Sequence, residues 1–204
     1  TGIAFVGPDA SVRETFTLGE DYCIHSIAWT GSEVVAAWHG YPGEAGINVA
    51  AFAPEDGASR DLAHFGSVNS SGTELVWTGS IMALFFTDRG VPPSPYGEVP
   101  YLATIPLDGG APTQVSISDH PDFASFSDPI WTGSEIDVAL VKWFGSTIEV
   151  DLVRLSLGGE RLADDFPMED HMLFAWTGSE YLVTTSDDRT GTWEVYVNRI
   201  GACE

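Results

Sequence analysis

Basic residues are scarce in this chain. Lys142 is the only lysine, beside seven arginines, against 30 acidic residues, for a net charge of −22 over 204 residues. Such a field repels phosphate backbones, which excludes nucleic acid as a partner and suits cations, basic proteins or saline surroundings. No apolar run approaches about 20 residues, so no segment reads as a membrane-spanning helix. There is no phosphate-binding glycine loop and no dinucleotide fingerprint, which removes the common nucleotide-dependent enzymes. The histidines, at 25, 39, 64, 120 and 171, are scattered, and none pairs at a zinc spacing. Cysteine is limited to Cys23 and Cys203. Aromatic residues are not lacking, at 12% of the chain, and this excludes a disordered acidic tail.

What is present is a repeat. Ala28-Trp29-Thr30-Gly31-Ser32-Glu33 recurs around Trp77, Trp131 and Trp176, at intervals of about 50 residues. Five and seven residues after each Trp stand apolar pairs: Val34/Ala36, Met82/Leu84, Ile136/Val138 and Tyr181/Val183. A period of two is the mark of a strand. The residues between them are Val35, Ala83, Asp137 and Leu182, so three of the four strands are apolar on both faces. A strand of that kind is buried on both sides, as in stacked sheets. Another apolar run precedes each Trp, with Thr-Gly-Ser as a tight hairpin between the two strands. A third strand shows best in Ile148–Leu155 and Trp193–Ile200, and outer strands are expected at Ser59–Phe65, Pro112–Ile117 and Arg161–Phe166. Four strands per repeat make a blade, and the fold class is an all-β propeller of four blades of four antiparallel strands. The blades fall at about 23–66, 67–118, 119–166 and 167–204, within a single domain of 1–204. Trp29, Trp77, Trp131 and Trp176 are read as structural, each filling a wedge between neighbouring blades.

The Trp-Thr-Gly-Ser-Glu motif resembles the blade repeat of exported bacterial β-propeller proteins, and four blades look like the size class of hemopexin-type propellers. The resemblance implies fold across nearly the whole chain and leaves function open. It also implies a secreted, periplasmic or cell-surface location, consistent with a chain that opens on Thr1 without methionine.

The fourth repeat ends on its third strand. Val12–Leu18 is therefore expected to supply the missing outer strand of the last blade, which leaves Ile3–Val6 as a surplus strand. Part of a longer array is the alternative. A Cys23–Cys203 disulfide would staple the ring and imply an oxidising compartment, with a chain-entropy effect on the order of 5 kcal/mol. Against it, the two cysteines sit at opposite ends of strands roughly 20–25 Å long.

The connections between second and third strands are the variable parts, while the hairpins at the other end barely change. Variation at one end of a regular scaffold is what a recognition surface shows. The expected ligand-binding set is Tyr41, Arg89, Tyr96, Trp143, Asp187, Asp188 and Arg189, with aromatic rings to stack on sugars and charged groups as polar partners. The oxygen-rich connections toward the channel carry Asp119, His120, Asp170 and His171, which could hold a cation such as calcium or a transition metal. A solvated acidic rim explains them as well. No nucleophile elbow is present, and no carboxylate pair stands out for acid–base work. The sequence therefore favours a non-enzymatic, monomeric binding or scaffolding propeller for a glycan or protein. Its alternatives are a structural fragment of a longer repeat protein and a metal-dependent hydrolase at the channel mouth.

Overall fold

The computed structural model describes residues 2–6, 9–17, 23–39, 46–55, 57–67, 70–89, 98–118, 124–144, 147–168, 174–187, 192 and 194–201. These form only strands and turns. A two-stranded sheet joins β1 (Gly2–Val6) and β2 (Val12–Thr17). The first full sheet orders β3 (Cys23–Trp29), β4 (Val34–His39), β5 (Ile47–Phe52) and β6 (Ser59–Phe65). The second orders β7 (Ser71–Trp77), β8 (Ile81–Arg89), β9 (Glu98–Pro106) and β10 (Thr113–Ser116). The third orders β11 (Ala124–Trp131), β12 (Ile136–Phe144), β13 (Thr147–Leu155) and β14 (Phe166–Met168). The last has β15 (Phe174–Trp176), β16 (Glu180–Asp187) and β17 (Glu194–Gly201). Neighbouring strands within each sheet are antiparallel, and the sheets follow chain order, the all-β, blade-by-blade arrangement of a β-propeller.

The second strand of each sheet shows why the sequence alternates as it does. Met82, Leu84 and Phe86 of β8 meet Val35, Ala37, Ile47 and Val49 of the first sheet. The intervening Ala83 and Phe85 meet Ile136, Val138 and Leu140 of β12 in the third sheet. Ala139 of β12 turns the other way, onto Phe174, Tyr181 and Val183 of the last sheet. The strands β4, β8 and β12 thus each belong to two seams, one per face, and are buried consecutively, whereas β16 packs on one seam among the described residues and its burial alternates from Glu180 to Thr184. Where two sheets meet, the first strands touch: the Leu75 amide donates to Ser26 Oγ at 2.9 Å, joining β7 to β3.

The repeated hairpin has one physical cause in all four copies. Backbone amides of Thr30, Thr78, Thr132 and Thr177 donate to the carbonyls three residues on, and each Thr hydroxyl donates to the same oxygen. Gly79 in the turn sits at φ 94°, a left-handed conformation that a side chain disfavours.

Three expectations change. The strand β2 does not complete the last sheet; it pairs with β1, from Gly2↔Thr17 to Val6↔Val12. Closing a local hairpin costs far less loop entropy than recruiting residues 12–17 to the far end of the chain. The pair also covers an apolar face: Ile3 and Phe16 lie on Ala36, Ala50 and Phe52, with Phe16 and Phe52 centroids 5.0 Å apart. The surplus strand thereby finds its partner. Among the described residues the last sheet has three strands, not four. Finally, the outer strand of the third sheet is Phe166–Met168, while Arg161 makes only an isolated bridge to Leu155. Arg161 is held in a turn by Asp165 and by the Ile117 carbonyl at 3.2 Å.

Candidate functional site

Two regions carry polar chemistry, one at each end of the strands. At the loop end, Arg89 closes β8 and its guanidinium is paired with Glu98, which opens β9. The pair clasps the base of the connection 90–97. Beside it the buried Asp88 accepts from Ser67 Oγ at 2.6 Å, and burial, then the nearby Asp88 charge, pushes the Tyr101 phenol up. On the first sheet, His25 and His39 have ring centroids 4.2 Å apart. Burial, then the neighbouring His39, holds His25 below its usual value. On the third sheet Lys142 Nζ donates to Asp151 Oδ2 at 2.6 Å, with Asp165 Oδ2 at 3.9 Å. Trp143 and Asp187 stand on β12 and β16 at this same end, their side chains outside the described residues. Tyr41, Tyr96, Asp188 and Arg189 also lie outside them, as do Asp119, His120, Asp170 and His171. Cys23 pairs in register with His39 through the backbone, and Cys203 is outside the described residues. Among the described residues no three His, Cys, Asp or Glu side chains converge as a metal site.

The repeated tryptophans differ in their surroundings. Trp77, Trp131 and Trp176 lie partly buried on the three successive seams. Trp29, on the sheet that carries the two-stranded hairpin, is 52% exposed.

At the opposite, hairpin end a cavity of about 300 Å³ opens between the third and last sheets. Its apolar walls are Leu152, Phe166, Trp176, Tyr181 and Ile200. Glu135, Arg154 and Asp164 supply charge at its edge. Arg154 donates to Glu135 Oε1 through Nε at 3.1 Å and through Nη2 at 2.5 Å. Behind Tyr181 lies Asp137, fully buried on β12, whose Oδ2 accepts from the Tyr181 hydroxyl. Its Oδ1 has no hydrogen-bond partner, and neither has Trp176 Nε1. Desolvation pushes the Asp137 carboxyl up; the Tyr181 hydrogen bond opposes this more weakly. Burial and then the bond to Asp137 push the Tyr181 phenol well above its usual value.

This second region is absent from the residues nominated above, yet its signal is in the repeat. Asp137 is the one acid among Val35, Ala83 and Leu182, and Tyr181 the one aromatic among Val34, Met82 and Ile136. Position within the repeat identifies both as departures; only the stacking of sheets reveals that the two departures meet.

No protein-family model matches the chain, and no curated protein sequence matches it either. Solved structures do. The β-propeller domain of the Trilobed protease from Pyrococcus furiosus, described as having an open velcro topology, aligns with a TM-score of 0.59 at 10% identity. That alignment covers 91% of this chain and 58% of the other. Uncomplexed Pyrococcus horikoshii acylaminoacyl peptidase aligns with a TM-score of 0.58 at 13% identity, over 98% of this chain and 34% of the other. Its orthorhombic crystal form gives 0.57 at 10% identity, over 90% and 33%. The fold defined by the sheets is therefore a β-propeller fold, and the chain spans about a third of the length of these peptidases.

Proposed function

We propose that this chain is a non-catalytic binding or scaffolding propeller of an exported protein, which recognises a glycan or protein through its loop end. One observation carries the reading: the hairpin end repeats the same Thr-centred bonds in all four sheets, whereas the loop end differs in every sheet. The scaffold is uniform, and individuality is concentrated where Arg89–Glu98, His25/His39 and Lys142–Asp151 lie. Trp143, Tyr41 and Tyr96 supply stacking surfaces in this reading, with Asp187, Asp188 and Arg189 as polar partners. The peptidase-associated propellers among the structural neighbours support a module that serves a larger assembly; the likeness is one of fold. A glycan array and a pull-down, run with the wild-type chain and with Trp143→Ala and Tyr96→Ala, test the surface. Binding lost in both variants supports it, and binding unchanged in both removes it.

A structural segment of a longer propeller is the second reading. It is favoured by the hairpin β1–β2, which lies on the first sheet as the outer strand pair of a preceding sheet would, and by Val195 and Val197, exposed on β17 by 74% and 64%. Molar mass in solution separates the two: a monomer at all concentrations supports the independent module, and concentration-dependent association supports the segment.

A further inference from the structure

We propose that the cavity between the third and last sheets binds a compact organic ammonium ion, seated against Phe166, Trp176 and Tyr181. The site is at the hairpin end, away from the loop end assigned above, and does not depend on that assignment.

Three features lead to a cation rather than a neutral or anionic guest. The first is the wall. Trp176 and Tyr181 stand with ring centroids 4.7 Å apart at 46°, and Phe166 faces the same cavity. Aromatic faces carry negative quadrupole density and attract ammonium groups that shed water poorly held by their methyl or methylene shell. Phe166 remains 50% exposed on a three-residue strand, an aromatic residue with half of its surface left uncovered by the fold.

The second feature is charge. Arg154, the cation at the edge, is already engaged by Glu135 through two donors, so this pair is close to neutral as a unit. Asp164 adds an exposed carboxylate at the rim, and the chain carries a net charge of −22. A cation approaches down this gradient, while a carboxylate or phosphate is repelled.

The third is the unspent acceptor. Asp137 Oδ1 is buried without a partner on the same carboxyl whose Oδ2 accepts from the Tyr181 hydroxyl. The other seams place Val35 with Met82 in one cluster and Ala83 with Ile136 in another. An acid in this position anchors the hydroxyl of a cavity-lining tyrosine from behind, a polar support that the apolar pairs of the other seams do not have. The volume, about 300 Å³, lies at the small end of ligand clefts and matches a compact guest.

Choline is the probe, with 3,3-dimethylbutan-1-ol as its uncharged isostere, followed by calorimetry or by tryptophan fluorescence. Choline is expected to bind saturably and the alcohol to bind at least about tenfold more weakly. Phe166→Ala should weaken choline by roughly three- to thirtyfold. Asp164→Asn, at an exposed position that leaves folding intact, should weaken it roughly two- to fivefold at low salt and less at high salt. No saturable choline binding at concentrations on the order of tens of millimolar overturns the proposal. So does equal binding of the alcohol, or choline affinity unchanged in both variants.

Discussion

The hydroxyl of Tyr181 in the last sheet donates to Oδ2 of Asp137 in the third, and this bond bridges a seam that is otherwise apolar. The two residues are successive departures from one repeat, and each explains the other. A buried carboxylate needs a donor, and a tyrosine in a seam needs an acceptor. Tyr181→Phe removes the donor and leaves both Asp137 oxygens unpaired. We expect a loss of about 1–3 kcal/mol in urea unfolding. Replacing both at once, as Asp137→Val with Tyr181→Met after the first seam, should cost less than the sum of the singles. Simple additivity would contradict the pairing.

The Asp137 carboxyl also sets a pH dependence. Burial raises its folded-state pKa above the ordinary 3.8, so the fold prefers the neutral acid. Stability from this group is complete below the unfolded value and is lost as pH rises through the folded value. Asp137→Asn cannot lose it. The stability of the variant minus that of wild type should therefore grow as pH rises from the unfolded to the folded value, and then level off. A difference that shrinks with rising pH would show a carboxylate favoured as the charged form.

The hairpin turns offer a separate test of backbone geometry. A Cβ at Gly79 would meet nothing within 4 Å, so any cost of Gly79→Ala is conformational. At φ 94° that cost should be about 1–2 kcal/mol. Thermal unfolding of Gly79→Ala measures it, and a variant as stable as wild type would mean that the turn can relax.

The N-terminal strand pair makes a fourth seam visible to hydrogen exchange. Phe16 touches Phe5 and Phe52, at centroid distances of 5.8 and 5.0 Å. Phe16→Ala should cost less than the roughly 3–5 kcal/mol of a wholly buried ring, since Phe16 is half-buried. Amides of β1 and β2 should exchange faster in the variant, with those of β17 unchanged. Faster exchange in β17 would restore β2 to the last sheet.

The four hairpins, the doubly apolar second strands and the outer strand Ser59–Phe65 are legible in the sequence, because each follows from local turn chemistry or from a period of two. The partner of Val12–Thr17 is not. Pairing there depends on which apolar face is left uncovered, and Ala36, Ala50 and Phe52 reveal that only once the sheets are stacked. Phe166–Met168 escaped for a similar reason: the Arg161–Asp165 pair turns a segment that its residue types would allow as strand. The cavity depends on contacts between residues more than 40 apart, such as Asp137 and Tyr181, which no local pattern specifies.

The central claim is that a uniform scaffold presents its individuality at the loop end. Replacing residues 90–97 by a glycine–serine linker of equal length, with Arg89 and Glu98 retained, tests this most directly when unfolding temperature and glycan-array profile are read on the same sample. We predict an unfolding temperature within a few degrees of wild type, roughly the shift for a change under 1 kcal/mol, together with loss of the array profile. An unaltered profile, or a chain that no longer folds, would contradict the account.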